Sequence, residues 1–235
     1  MIYLRHLQKG VCIMNIRKTA GKILKKYSHA WVFLYALIYM PWFTWLEKRT
    51  GVQYTMVHSP LDSYIPFIEY FVIPYLLWFV FIATTGLYFF FTEKQSFYRM
   101  AAFTITGMTL FLIICTFFPN GQELRPHTFE HDNIFVSLVQ VIYATDTPTN
   151  VLPSLHVFNS LGASVAIAHS PRLRKHPLVR YGAYCLAALI ILSTVFLKQH
   201  SVTDVFAAFA MALLIYPLVY VLQDKKAPKL LKQPI

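Results

Sequence analysis

Charge is what this chain has least of. Of its 235 residues only 21 are Lys or Arg and 10 are Asp or Glu, 13% in all, against roughly 25% in soluble domains. Apolar residues make up 57% and the mean hydropathy is +0.50. A disordered chain needs the opposite balance. The net charge of +11 suggests a nucleic-acid partner, but such a module clusters its cations on one face, and here long uncharged runs separate them. Cysteine is equally scarce: Cys12, Cys115 and Cys185 form no spaced pair, which argues against a disulfide framework and a cysteine zinc site. No internal repeat or low-complexity stretch divides the chain.

What is present is a series of apolar runs. Residues 27–46, 70–92, 100–122, 147–171, 181–197 and 205–223 contain no Asp, Glu, Lys or Arg. A helix rising 1.5 Å per residue needs about 17 to 25 residues to cross hydrocarbon roughly 30 Å thick, so each run is long enough. The expected fold is all-α, a bundle of six transmembrane helices. Seventeen of the 21 basic residues fall in the two tails and in the connections after the second and fourth helices. The other side keeps only Lys48, Arg49, Arg125 and Lys198. The positive-inside rule then places both termini in the cytoplasm. Residues 1–29 read as a basic cytoplasmic segment, with 15–29 suited equally to lipid headgroups and to a solvated tail. Residues 30–222 read as the membrane domain and 223–235 as a basic cytoplasmic tail.

Ionisable groups near membrane helices are expensive and mark function. Three clusters stand out: Pro153-Ser154-Leu155-His156 at the start of the fourth helix, His200 with Asp204 where the fifth helix hands over to the sixth, and Arg125-Pro126 in the long outer connection. The alternating topology brings all three to the outer membrane face. His200 and Asp204, four apart, share a helix face, so the carboxylate can hold one ring nitrogen and leave the other as a nucleophile. The same spacing also suits a satisfied polar pair. Pro153 can open a helix whose first amides, near Ser154, suit an anion. His127 and His131 are also four apart, but two ligands in a loop make a poor metal site. Asp62 and Glu69 read as ordinary interfacial carboxylates, and Gly107, Gly162 and Gly182 as points of close helix approach.

These residues resemble the type-2 phosphatidic acid phosphatase and haloperoxidase superfamily. Its pattern is Lys, six residues, Arg-Pro; then Pro-Ser-x-His; then Ser-Arg, five residues, His, three residues, Asp. Pro153, Ser154 and His156 match the second part, and Ser193, His200 and Asp204 match the third. Two cations of the pattern are replaced, by Phe118 and Thr194. Loss of the third-motif Arg is also similar to inositol phosphorylceramide synthases, which transfer a phospho-headgroup between lipids.

The resemblance implies a membrane lipid phosphatase acting on a lipid phosphate ester or pyrophosphate. His200 would be the nucleophile that forms a phospho-histidine, Asp204 its orienting carboxylate and His156 the acid and base. Arg125, Ser154, Ser193 and Lys198 would bind the phosphoryl oxygens, with no cofactor or metal. The expected partners are the phosphorylated lipid and the bilayer, with no nucleic acid. The expected location is the plasma membrane with the site facing outward. The alternatives are a phosphotransferase passing a phospho-headgroup to an alcohol, and a non-enzymatic transporter whose histidines carry protons. The clustering of charge at one face and the lack of a repeat argue against the transporter.

Overall fold

The computed structural model describes residues 21–22 and 25–222. The tail 223–235 and most of the basic stretch 1–29 lie outside the described residues. The chain divides into two units at Tyr35 and Ala36. In the first, Ser28–Tyr35 forms a 3-10 helix. The second contains α1 (Ala36–Glu47), α2 (Val72–Thr92), α3 (Lys94–Phe117), α4 (Ile134–Thr145), α5 (Leu155–His169), α6 (Pro177–Phe196) and α7 (Val202–Tyr216), the last continuing as a π-helical turn over Pro217–Val221. Two short parallel strands, β1 (Thr55–Met56) and β2 (Asn120–Gly121), pair beside the helices.

Four stretches are long and apolar enough to cross a membrane: Glu69–Thr92, Lys94–Phe117, Pro177–Phe196 and Val202–Val221. At most 33% of the most apolar window of any of them is buried, so their remaining apolar surface faces outward. Leu178, Leu213 and Leu214 are 88%, 72% and 73% exposed, which suits lipid contact and would be a liability in water. Pro41 falls inside α1, but two other prolines sit where they do least harm. Pro74 lies in the first turn of α2, where its missing N–H removes no intrahelical bond, and Pro217 stands where α7 passes into the π-helical turn.

The other two expected spans come out shorter. The run 27–46 is a 3-10 helix followed by the 12-residue α1. In the run 147–171 only α5, with 15 residues, is helical, about 22 Å long. Its polar beginning is held elsewhere: Thr147 and Asn150 bond to Glu47, and Thr149 bridges to Gly121. Part of the expected outer loop is instead the apolar α4, capped by Asn133 through the amides of Phe135 and Val136.

Helix α5 is the centre of the second unit and packs against α2, α3, α6 and α7. Its small residues Ser160, Gly162, Ala163, Ser164 and Ala166 are all buried, which lets neighbouring backbones approach. Two glycines of the expected three are required for this. A Cβ on Gly107 would lie 2.0 Å from the Phe158 ring, and one on Gly162 would lie 2.8 Å from Phe103. Phe103 and Phe158 stack at 4.7 Å and are fully buried, so neither ring has room to move. Gly182 faces open space.

Gly107→Ala should therefore destabilise the bundle by about 1–3 kcal/mol through overpacking, whereas Gly182→Ala should not. Thermal unfolding of the two variants in detergent measures the difference.

Candidate active site

The site is organised by two helix starts. Ser201 caps α7 in a capping box: its hydroxyl accepts from the Thr203 amide, and Asp204 Oδ2 accepts from the Ser201 amide at 3.0 Å. Such boxes fix the first turn of a helix. His200 is the residue before the cap, and its Nδ1 meets the same Oδ2 at 3.2 Å. The expected pair thus forms, across a helix start and not along a helix face. Asp204 is fully buried and His200 is 9% exposed.

Ser154 caps α5 through the Val157 amide. Its own amide donates to the Asp204 carbonyl at 3.2 Å, so this amide serves to tie the two helix starts together and is not a spare anion donor. One residue into α5, the His156 ring lies between aromatic faces of α2, 4.5 Å from Tyr75 and 4.4 Å from Trp78. Its Nε2 is buried without a protein partner. The rings of His156 and His200 are 6.1 Å apart.

Both histidines line a cavity of about 510 Å³, within the usual size of small-molecule sites. One wall is aromatic, with Tyr39, Phe43, Trp78, Phe79 and Phe111; the other is polar, with Asp146, Thr147, Thr149, Asn150 and Gln199. No Lys or Arg lines it among the described residues. Asp146 is the one carboxylate in the lining. Burial pushes its carboxyl above the usual carboxylate range, while His200, Arg125 and a hydrogen bond from Tyr75 pull it back.

The remaining candidate residues serve the scaffold around this cavity. Arg125 donates to the carbonyls of Tyr143 (3.1 Å) and Asp146 (2.8 Å) and to Gln199 Oε1 (2.6 Å), with its guanidinium over the Tyr143 ring. It braces the polar wall from behind. The Ser193 hydroxyl is buried and donates to the Ile190 carbonyl within its own helix. Lys198 does lie past the end of α6, in a left-handed backbone conformation with φ of 52°. That turn aims its ammonium away from the cavity, onto the carbonyls of Asp62 (2.8 Å) and Ile65. Thr194, where the family pattern has a cation, contributes its carbonyl, which accepts from the amides of Gln199 and His200.

Asp146, in sequence one of the ionisable residues of the long outer connection, and Gln199 have no role predicted for them, although the polar run Thr145 to Asn150 just before Pro153 is a signal. Asp62 and Glu69, expected as interfacial groups, are both buried. The pattern Ser59-Pro60-Leu61-Asp62, which forms a second capping box, pointed to Asp62. His131 pairs with Glu69 at 3.2 Å. Among the described residues no three His, Cys, Asp or Glu side chains gather into a set that could hold a metal.

The family model of the PAP2 superfamily matches residues 105–228. No curated protein and no solved structure matches the chain. The matched span contains both histidines, Asp204 and the three motif clusters, and leaves Tyr75, Trp78 and Asp62 outside.

Lys198→Met should act on stability. Two carbonyls lose their donor, at a cost of about 1–3 kcal/mol. The melting temperature in detergent should fall while affinity for vanadate, a mimic of the five-coordinate phosphoryl group, stays within about twofold, a change worth less than 0.5 kcal/mol.

Proposed function

The chain belongs to the PAP2 superfamily, whose members are generally phosphatases or phosphoesterases, and from that premise we propose that it hydrolyses a phosphate ester or pyrophosphate of a membrane lipid through a phospho-histidine on His200. The observation that supports this most directly is the shared cavity: two histidine rings 6.1 Å apart, one of them held by a buried carboxylate. That separation leaves space for a phosphoryl group between them.

With Nδ1–H donated to Asp204, the other nitrogen of His200 carries a lone pair. It attacks phosphorus in line, and the ester P–O bond breaks on the opposite side. His156 gives its proton to the departing alkoxide. It then removes a proton from water, which attacks the phospho-histidine, breaks the P–N bond and releases phosphate. Asp204 stabilises the positive charge that His200 acquires. The faces of Tyr75 and Trp78 hold the His156 ring in place. Arg125 and Arg49, each one side chain behind the polar wall through Gln199 and Asn150, are cations placed to balance the phosphoryl oxygens. The lipid tails leave along the aromatic wall toward the membrane-facing helices. The distribution of basic residues supports cytoplasmic termini and an outward-facing site in the plasma membrane.

A phosphate-release screen over a lipid panel, with substrate added outside sealed right-side-out vesicles, tests both the chemistry and the orientation. His200→Ala, His156→Ala and Asp204→Asn should each lose roughly a thousandfold or more, as expected for groups acting on the reacting atoms. Full activity in His200→Ala would show the nucleophile to be wrong. Release only when the substrate is inside would reverse the orientation.

One observation favours a second reading, transfer of a phospho-headgroup to an alcohol. The cavity lining offers Asp146 and no Lys or Arg among the described residues, which disfavours a dianionic phosphate monoester relative to a singly charged phosphodiester. The carboxyl of Asp146 is raised by burial, so it is neutral at low pH and becomes a repelling charge as pH rises through its titration. The ratio of Asp146→Asn to wild-type turnover of phosphatidic acid should therefore increase with pH. A constant ratio from pH 4 to 8, measured by phosphate release, would remove Asp146 from substrate selection.

A further inference from the structure

A line of buried hydrogen bonds leads from His200 away from the cavity to a residue 138 positions earlier in the chain. His200 Nδ1 and the Ser201 amide converge on Asp204 Oδ2. The Ser201 hydroxyl then donates to Asp62 Oδ2 at 2.6 Å, and Asp62 Oδ1 accepts from the Val202 amide at 2.8 Å. Asp62 Oδ2 also accepts from the Ser59 amide at 2.6 Å. Ser201 and Asp204 are fully buried, and Asp62 is 5% exposed. From the other flank Lys198 reaches back to the carbonyls of Asp62 and Ile65. The 59–65 segment therefore grips residues 198–202 at three points.

A buried carboxylate survives only when its oxygens are well supplied with donors. Asp62 has three, and two of them belong to the first residues of α7, where a negative charge is also favoured by the helix dipole. Ser201 already has Asp204 as its capping partner, so α7 does not need Asp62 in order to start. What Asp62 adds is a fixed direction for the Ser201 side chain and a fixed position for the Val202 amide. Those two groups flank the atoms that hold Asp204 against His200.

We propose that Asp62 is a positioning residue for the His200–Asp204 pair: through Ser201 and the Val202 amide it locks the first turn of α7 so that Asp204 holds Nδ1–H of His200 and the opposite nitrogen faces the cavity. This rests on His200 being the reacting group, but the lock is a property of the folded protein and can be read without turnover. Asp62 touches neither the cavity nor any reacting atom. Its effect is on geometry, and a misplacement far from the chemistry can lower a rate by up to about a hundredfold.

The test uses full-length protein in detergent with two readouts. In 15N-histidine NMR, with the His200 signal assigned by its loss in His200→Gln, the wild type should show a single tautomer protonated at Nδ1, and Asp62→Ala and Ser201→Ala should show a mixture. In phosphate release from phosphatidic acid, both variants should lose roughly ten- to a hundredfold in kcat per folded molecule with KM nearly unchanged. The double variant should be no worse than the worse single one, because both break one chain. Asp62→Asn, which keeps one acceptor oxygen, should recover part of the loss.

If Asp62→Ala does not fold, Ser201→Ala removes only the linking hydroxyl and carries the test. A single unchanged tautomer together with wild-type kcat in the folded variants would overturn the proposal and leave Asp62 as a cap. If the wild type releases no phosphate from any lipid, the hydrolase reading falls, and the tautomer measurement alone decides the role of Asp62.

Discussion

The first turn of α7 is the constraint on which the site depends. One carboxylate oxygen of Asp204 accepts from the Ser201 amide, which starts the helix, and from His200, the proposed nucleophile. The same residue's carbonyl accepts the Ser154 amide and thereby fixes where α5, and with it His156, begins. Fold and site thus share their atoms. A helix cap ordinarily contributes about 1 kcal/mol; here a change at the cap would also move both histidines.

The pattern of residues made this junction legible because its chemistry is local. His200 and Asp204 are four apart, and Pro153-Ser154 announces a helix start whatever surrounds it. The expectation failed only in detail: His200 precedes the cap, so the pair spans a helix beginning. Helix number was less legible. Length and hydropathy identify α2, α3, α6 and α7 as able to cross a membrane. In 147–171 the same criteria did not give the helix length, only Leu155–His169 being helical, because an uncharged run is not a continuous helix. Thr147, Thr149 and Asn150 bond to Glu47 and Gly121, partners at least 28 residues away in the chain that local patterning does not reveal.

The directions of long side chains were illegible for a related reason. Lys198 and Arg125 lie beside the motifs in sequence, and proximity suggested phosphoryl contacts. The left-handed backbone at Lys198 turns its ammonium to the 59–65 segment, and Arg125 finds two carbonyls and Gln199. A cation in a poorly solvated place takes whatever acceptors the tertiary fold supplies, and only the fold says which. Asp62 shows the converse. A carboxylate near a helix end looks like a solvated group until three donors, one from nearby Ser59 and two from the distant start of α7, are found around it.

The two cations missing from the family pattern then acquire a common physical consequence. At Thr194 the backbone carbonyl holds the amides of Gln199 and His200, so the position still serves the histidine, but by fixing its backbone and not by adding charge. With Phe118 in place of the other cation, with Lys198 and Arg125 held by carbonyls and Arg49 held by carbonyls and Asn150, the lining itself carries two histidines and Asp146 but no Lys or Arg among the described residues. In the proposed reaction a second negative charge on the phosphoryl group has no Lys or Arg counter-charge in the lining among the described residues, and transition-state stabilisation falls to hydrogen bonds and to the imidazolium of His200. That places the burden on orientation, since a hydrogen bond loses its strength with misalignment far faster than a Coulomb interaction does with distance. It is the physical reason a structure with few site cations needs the pinned junction of α5 and α7.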